Sequence, residues 1–208
     1  MEELSDKELV ARCQAELPYT VDAYRELLRR HEPLVYRTCL KMLGSKQDAE
    51  EACQDAFLRV FHKIGQFEGR AAFKTWLYRI VYNRCIERRR QLARRNEKKA
   101  LFAEEAQHAA DTREDPEMKA QLAGRVQESI DQLRGDDRRM ITLRYVSGLS
   151  LAEIAEVLDI GLSATKMRLY RAQEKFSEIY TARESAGDEP EGEDVAPSAS
   201  TGETATAV

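Results

Sequence analysis

Residues 150–173, SLAEIAEVLDIGLSATKMRLYRAQ, carry the reading of this chain. Ser150 and Glu153 have capping-box spacing, in which hydroxyl and carboxylate each satisfy a backbone amide at a helix start. Ile154, Ala155, Val157 and Leu158 follow on one face, and Asp159-Ile160-Gly161 then forces a turn. Ser163 is placed to cap the helix that follows, from Leu162 to about Phe176. Two short helices joined by a tight glycine-containing turn are the arrangement that lays the second helix into the DNA major groove. That helix is basic, with Lys166, Arg168, Arg171 and Lys175 against Glu174. Ser163, Thr165 and Lys166 are best placed for base edges, while Met167, Leu169 and Ala172 complete packing or touch thymine methyls. A solvated face on an ordinary helical hairpin is the bland alternative.

Around this motif, residues from about Met118 to Tyr180 suffice for four short helices packed on Ile130, Leu133, Ile141, Leu143, Ile154, Val157, Leu158 and Leu169. Upstream, Leu101–Glu117 loses apolar periodicity, gains acid and contains Asp115-Pro116, which reads as a linker. Beyond Ala182 the chain is acidic and rich in Gly, Pro, Ser and Thr, and is expected to be disordered.

The N-terminal half reads as a second helical unit. Ser5-Asp6-Lys7-Glu8 fits another capping box. Apolar residues from Val21 to Leu43 recur at helical spacing up to Gly44, and Pro33 predicts a kink or two abutting helices. Ala49, Ala52, Cys53, Ala56, Phe57, Val60 and Ile64 form the next stripe, stopped by Gly65. Its other face carries Asp48, Glu51, Gln54, Asp55 and Arg59, and by itself such a face is simply solvated.

After a polar loop, Gln66–Arg70, a long helix is expected from Ala71 to about Arg95, aromatic first and basic later. Phe67, Phe73, Trp76, Tyr78 and Tyr82 interleave with Arg70, Lys74, Arg79 and Arg84. Aromatic faces stack bases at roughly 1–3 kcal/mol each while cations hold phosphates, so the surface suits unpaired DNA. Trp76, Leu77, Ile80 and Val81 share a stripe that reads as core, which leaves Phe67, Arg70 and Phe73 as the better DNA candidates.

Net charge is −4, but residues 178–208 hold eight acids and one base, net −7, which leaves +3 for the rest. Arg84–Lys99 contains eight basic and two acidic residues, a local +6 that suits a phosphate backbone. Cys13, Cys39, Cys53 and Cys85 are never paired as C-x-x-C and read as buried thiols. His31, His62 and His108 are isolated and no glycine-rich phosphate loop exists, so no catalytic centre, cofactor or metal site is expected. Apolar runs are far shorter than the roughly 20 residues of a spanning helix.

These blocks, in this order, resemble the extracytoplasmic-function sigma factors, which keep regions 2 and 4 of the larger sigma factors. The resemblance covers about Tyr24–Leu92 and Val126–Phe176. It implies an all-α fold of two small helical domains: region 2 over 1–95, an acidic linker over 96–117, region 4 over 118–182, and a disordered acidic tail over 183–208.

DAEEACQDAFLRVF, Asp48–Phe61, looks like the core-polymerase segment, which implies clamp contacts on the largest catalytic subunit from Asp48, Glu51, Gln54, Asp55, Phe57 and Leu58. FEGRAAFKTWLYRIVYNRC resembles the segment that melts the minus-ten element, which implies DNA contacts from Phe67, Glu68, Gly69, Arg70, Phe73, Lys74, Arg79 and Asn83. Residues 150–173 are similar to the minus-thirty-five reader, which implies contacts from Ser163, Ala164, Thr165, Lys166, Arg168 and Arg171. Ser163–Arg168 departs from the Gly-Thr-Val-Lys-Ser-Arg pattern of many relatives, which bears on the bases met by Ala164 and Met167.

The partners implied are core RNA polymerase, including the flap of its other large subunit, promoter DNA both duplex and melted, and an anti-sigma factor. The implied place is the cytoplasm and nucleoid, without membrane insertion of this chain, held at the inner membrane where an anti-sigma factor is anchored there. The acidic linker would thread toward the polymerase's catalytic and RNA-exit channels, and the tail is a candidate regulator. A free-standing helix-turn-helix regulator binding a palindrome, or a nucleic-acid-processing enzyme, are the competing readings.

Overall fold

The computed structural model describes residues 4–100 and 119–186, and every regular element among them is helical. Of the expected linker over 96–117, residues 96–100 continue a helix while 101–117 lie outside the described residues, as does most of the expected tail.

Helix α1, Asp6–Glu16, opens on the expected box: Ser5 N–H donates to Glu8 Oε2 at 2.7 Å, and Glu8 N–H donates to Ser5 Oγ at 3.3 Å. Helix α2, Asp22–Leu43, passes through Pro33 as one helix, so of the two expectations, a kinked helix or two abutting ones, the second is excluded. Proline removes one intrahelical hydrogen bond, but Leu27 before it and Val35, Cys39 and Met42 after it pack into the same core and hold the helix together. Gly44 ends α2 at φ +78°, donating its N–H to Leu40 O.

Helix α3, Lys46–Lys63, is capped by the Ser45 hydroxyl, which accepts from Asp48 N–H at 3.3 Å. Its Ala49, Ala52 and Ala56 are buried on one face, and these small side chains let α3 lie close against its neighbours. A 3-10 turn, Ile64–Gln66, leads to helix α4, Phe73–Ala100, whose Leu77, Val81 and Cys85 complete the core of this half.

The second half comprises α5, Lys119–Gln132, α6, Gly135–Ile141, a π turn, Thr142–Val146, α7, Leu151–Leu158, and α8, Leu162–Ala186. Ile130, Leu133, Ile141, Leu143, Ile154, Val157 and Leu169 are buried as the sequence predicts, with Leu158 packed at the edge. Helix α8 runs on to Ala186, past both the expected end near Phe176 and the expected start of the tail at 183. Its Phe176 and Ile179 continue the apolar stripe against the core and carry the helix past that point. The two halves touch: α7 lies against α4, and the π turn against α2.

Candidate nucleic-acid interface

Helix α7 begins on the second capping box, with Ser150 N–H donating to Glu153 Oε2 at 2.7 Å and Glu153 N–H to Ser150 Oγ at 3.3 Å. It ends on Asp159 in the left-handed region at φ 55°, so the aspartate, not Gly161, makes the turn's tightest bend. Ile160 N–H donates to Ala155 O at 3.1 Å and closes the turn.

Helix α8 starts at Leu162, which puts Ser163 inside its first turn instead of at the cap. Thr165 is fully buried and its hydroxyl donates to Gly161 O at 3.1 Å, so the expectation that it reads a base edge does not fit its placement. Leu169 and Ala172 share that inner face. Ser163, Ala164, Lys166, Arg168 and Arg171 are exposed, as are Met167 and Tyr170, at 55% and 58%. Arg168 is close enough to α6 to act on Arg139, whose pKa is lowered by burial, with the charges of Arg89 and Arg168 adding to the effect.

In the first half the loop before α4 is pinned from α1. Gln14 Nε2 donates to Ile64 O at 3.0 Å and to Phe67 O at 2.8 Å, a role that local sequence patterns did not reveal. The Phe67 ring packs against Trp76 at 5.1 Å and Phe73 at 6.1 Å. Phe73 is buried against His31 as well, and Tyr78 is buried too, so these two rings serve the core and are not platforms for bases. Glu68, Gly69 and Arg70 protrude, with Gly69 at φ +70° and Arg70 Nε 2.5 Å from Glu68 Oε2. Arg79 and Asn83 are exposed along α4, whereas the Lys74 ammonium is engaged by Gly148 O at 3.0 Å.

The charged face of α3 divides in two. Asp48 and Glu51 turn to α4, where Arg88 bridges them. Gln54, Asp55 and Leu58 stay exposed beside a groove of about 570 Å³, which Phe57 lines together with Tyr24, Leu28, Glu32 and Phe61. Phe57 itself is buried, and its carbonyl accepts from Tyr24 Oη–H at 2.5 Å.

No cluster of metal-ligating side chains and no helix long and apolar enough to cross a membrane occurs among the described residues. All four cysteines are free and buried, with Cys85 Sγ 3.7 Å from Cys39 Sγ. Burial pushes the Cys13 thiol up to about 11 and the Cys53 thiol up to about 12.

Residues 27–95 match Sigma-70 region 2, and residues 123–176 match Sigma-70, region 4. The ECF RNA polymerase sigma factor SigW of Bacillus subtilis is 34% identical over 164 residues, 74% of this chain and 86% of that protein. The chain belongs to the extracytoplasmic-function (ECF) sigma factor family. This sigma factor is also 31% identical to the ECF RNA polymerase sigma-E factor of Escherichia coli K12, across 83% of the chain and 93% of the relative. Its fold is that of CnrH, solved in complex with the cytosolic domain of CnrY, at a TM-score of 0.62 and 23% identity over 85% of this chain and 97% of that one. A sigma factor is a subunit of the transcription machinery and not itself an enzyme, so the scattered carboxylates and lone histidines need no catalytic account.

Proposed function

We propose that this sigma factor directs core RNA polymerase to a specific set of promoters, reading a minus-thirty-five element as duplex with α8 and opening a minus-ten element with the loop at Phe67–Arg70 and the exposed side of α4. The observation that carries this reading is the presence of two unlike exposed surfaces on one chain, each of which suits a different form of DNA. One is a basic helix presented by a helix-turn-helix. The other is a protruding loop, Glu68-Gly69-Arg70, backed by the Phe67–Trp76 aromatic contact. The first suits base edges in a groove, and the second suits an unstacked base.

On α8 the proposed readers are Ser163, Ala164, Lys166, Arg168 and Arg171, with Thr165 packing behind them. On the minus-ten side they are Phe67, Glu68, Gly69, Arg70, Arg79 and Asn83, and Lys74 once released from Gly148. The clamp of the largest polymerase subunit is proposed to dock on Gln54, Asp55 and Leu58 and the adjoining groove, and the flap of the other large subunit on the second half. Regulation by an anti-sigma factor is supported by two solved proteins of the same fold, CnrH with the cytosolic domain of CnrY and the sigma factor RpoE with the anti-sigma factor NepR from Bartonella quintana. The site of action proposed is the cytoplasm, on the nucleoid.

The test is transcription from genomic fragments by core polymerase with and without this protein. New start sites sharing two spaced upstream elements are expected. No new starts, together with a footprint on duplex DNA by the protein alone, would replace this reading with a free-standing regulator.

A further inference from the structure

The loop between the 3-10 turn and α4 is held from α1, a helix that lies outside both matched regions. The match to region 2 begins at residue 27, and α1 ends at Glu16. Leu9, Val10 and Cys13 bury one face of α1. The helix is tied to α2 where Asp6 Oδ2 lies 2.7 Å from His31 Nε2 and where Arg30 Nη1 donates to Leu4 O at 2.6 Å. One residue beyond Cys13, at the rim of that buried face, Gln14 meets the turn that feeds the loop.

A glutamine amide carries two N–H donors on one nitrogen, and here that nitrogen faces two carbonyls. Nε2 donates to Ile64 O at 3.0 Å and to Phe67 O at 2.8 Å. Ile64 O also accepts Phe67 N–H at 3.1 Å, so the side chain grips both the closing bond of the 3-10 turn and the residue that leaves it. Only a donor suits that place, because a carboxylate there would confront two oxygens.

The consequence falls on Phe67. Its carbonyl is held by Gln14 and its ring rests 5.1 Å from Trp76, so Glu68, Gly69 and Arg70 form a short arch that springs from a fixed foot. The other foot is the start of α4, where Trp76 N–H donates to Ala72 O at 3.1 Å. A loop fixed at both feet before it meets a ligand loses less conformational freedom on binding. It also compares bases in one shape instead of several.

We propose that Gln14 is a positioning residue for minus-ten recognition. Through the carbonyls of Ile64 and Phe67 it sets the Phe67–Arg70 loop in the shape that accepts an unstacked base, so specificity at that base depends on a helix outside the matched region 2. The inference rests on the sigma reading proposed above and adds to it a residue that acts through the loop.

Two variants and two readouts test it. Gln14→Met keeps the length of the side chain without donor or charge, and Gln14→Glu keeps its shape but turns donors into acceptors; position 14 is exposed, so both should fold. Trp76 is the chain's one tryptophan, and its emission reports whether Phe67 still covers it. In free protein both variants should leave Trp76 more open to acrylamide quenching than in the parent, with unchanged far-UV circular dichroism. In holoenzyme, specificity is read by binding single-stranded oligonucleotides that carry the minus-ten element of a promoter the parent transcribes, with each base substituted in turn. Discrimination at the position held by the loop should fall by about tenfold in both variants, the value of two ordinary hydrogen bonds acting together, and stay as it was at the other positions. Parental discrimination in Gln14→Met, an even loss at every position, or a Trp76 signal identical to the parent's would overturn the role of Gln14 and leave the sigma reading intact. A parent holoenzyme that transcribes no promoter would overturn the sigma reading, and the inference with it.

Discussion

The guanidinium of Arg88 on α4 holds two carboxylates of α3 at once, with Nη2 2.6 Å from Asp48 Oδ1 and 2.7 Å from Glu51 Oε2. Two acids that the linear pattern places on an outward face are therefore a fastening between helices. Asp48→Ala should lower unfolding stability by about 2 kcal/mol, typical of a partly buried charge-assisted hydrogen bond. Thermal unfolding measures the loss, and core-polymerase binding should be nearly unaffected. A large loss of polymerase affinity at full stability would return Asp48 to the interface.

Leu58 has the opposite profile, at 57% exposed beside the groove over Phe57 and Phe61. Leu58→Ala should leave the unfolding temperature unchanged and weaken the complex with core polymerase by about tenfold, the scale of an interface hot spot. A titration of labelled core enzyme reads this directly.

Met167 and Tyr170 point away from the core between Lys166 and Arg171, and apolar tips in that position suit the C5 methyl of thymine. Replacing thymines of the upstream element one at a time by deoxyuridine should weaken holoenzyme binding at one or two positions by roughly fourfold, the value of one buried methyl group. In Met167→Ala the penalty should vanish at its own position. If every thymine tolerates the change in the parent protein, these side chains do not read methyls.

Lys166 and Thr165 are neighbours in sequence with opposite surroundings, one exposed and one fully buried. Lys166→Ala should weaken binding of the upstream element by about 1–3 kcal/mol and relax discrimination at its own base pair, the value of a good base contact, which binding to single-base variants of that element measures. Thr165→Ala should leave that discrimination alone and lower the stability of the second half, because it removes the hydroxyl bonded to Gly161 O.

The thiols supply a pH dependence. Cys13 and Cys53 are held neutral by burial, with pKa values pushed from 9.0 up to about 11 and about 12. A pKa raised by folding contributes stability that is complete below the unfolded value and is lost as pH rises toward the folded one. Stability should therefore fall as pH climbs from 9 toward 11 and 12, and the cysteines should resist alkylation near neutral pH until denaturant exposes them. Rapid labelling of the folded protein would contradict this.

Both capping boxes were legible because their partners are three residues apart and the rule is local. The apolar stripes gave both cores for the same reason, since helical period depends only on neighbours. Pro33 leaves one helix or two open in the sequence because the packing that carries α2 past it comes from other helices. Thr165 lies four residues before Leu169 and seven before Ala172, on the buried stripe, and its nearness to the helix start hides that spacing. The Arg88–Asp48 pair spans 40 positions and the Thr75–Glu153 bond 78, and no local spacing announces either. At the helix turn glycine is the usual left-handed residue, which points to Gly161, whereas aspartate tolerates that region at modest cost and does so here at position 159.

Because the α4–α7 contact joins parts of one chain, it is governed by tether length and not by how much protein is present. A connection of 18 residues presents one half to the other at an effective concentration in about the millimolar range. An interface too weak to hold two separate molecules together in a cell can therefore stay shut within one. Dilution does not open it, and anything that displaces it must outbid a partner that is always nearby. The bonds of Ser147 to Thr38, Gly148 to Lys74 and Glu153 to Thr75 therefore need little strength of their own to keep the two halves together.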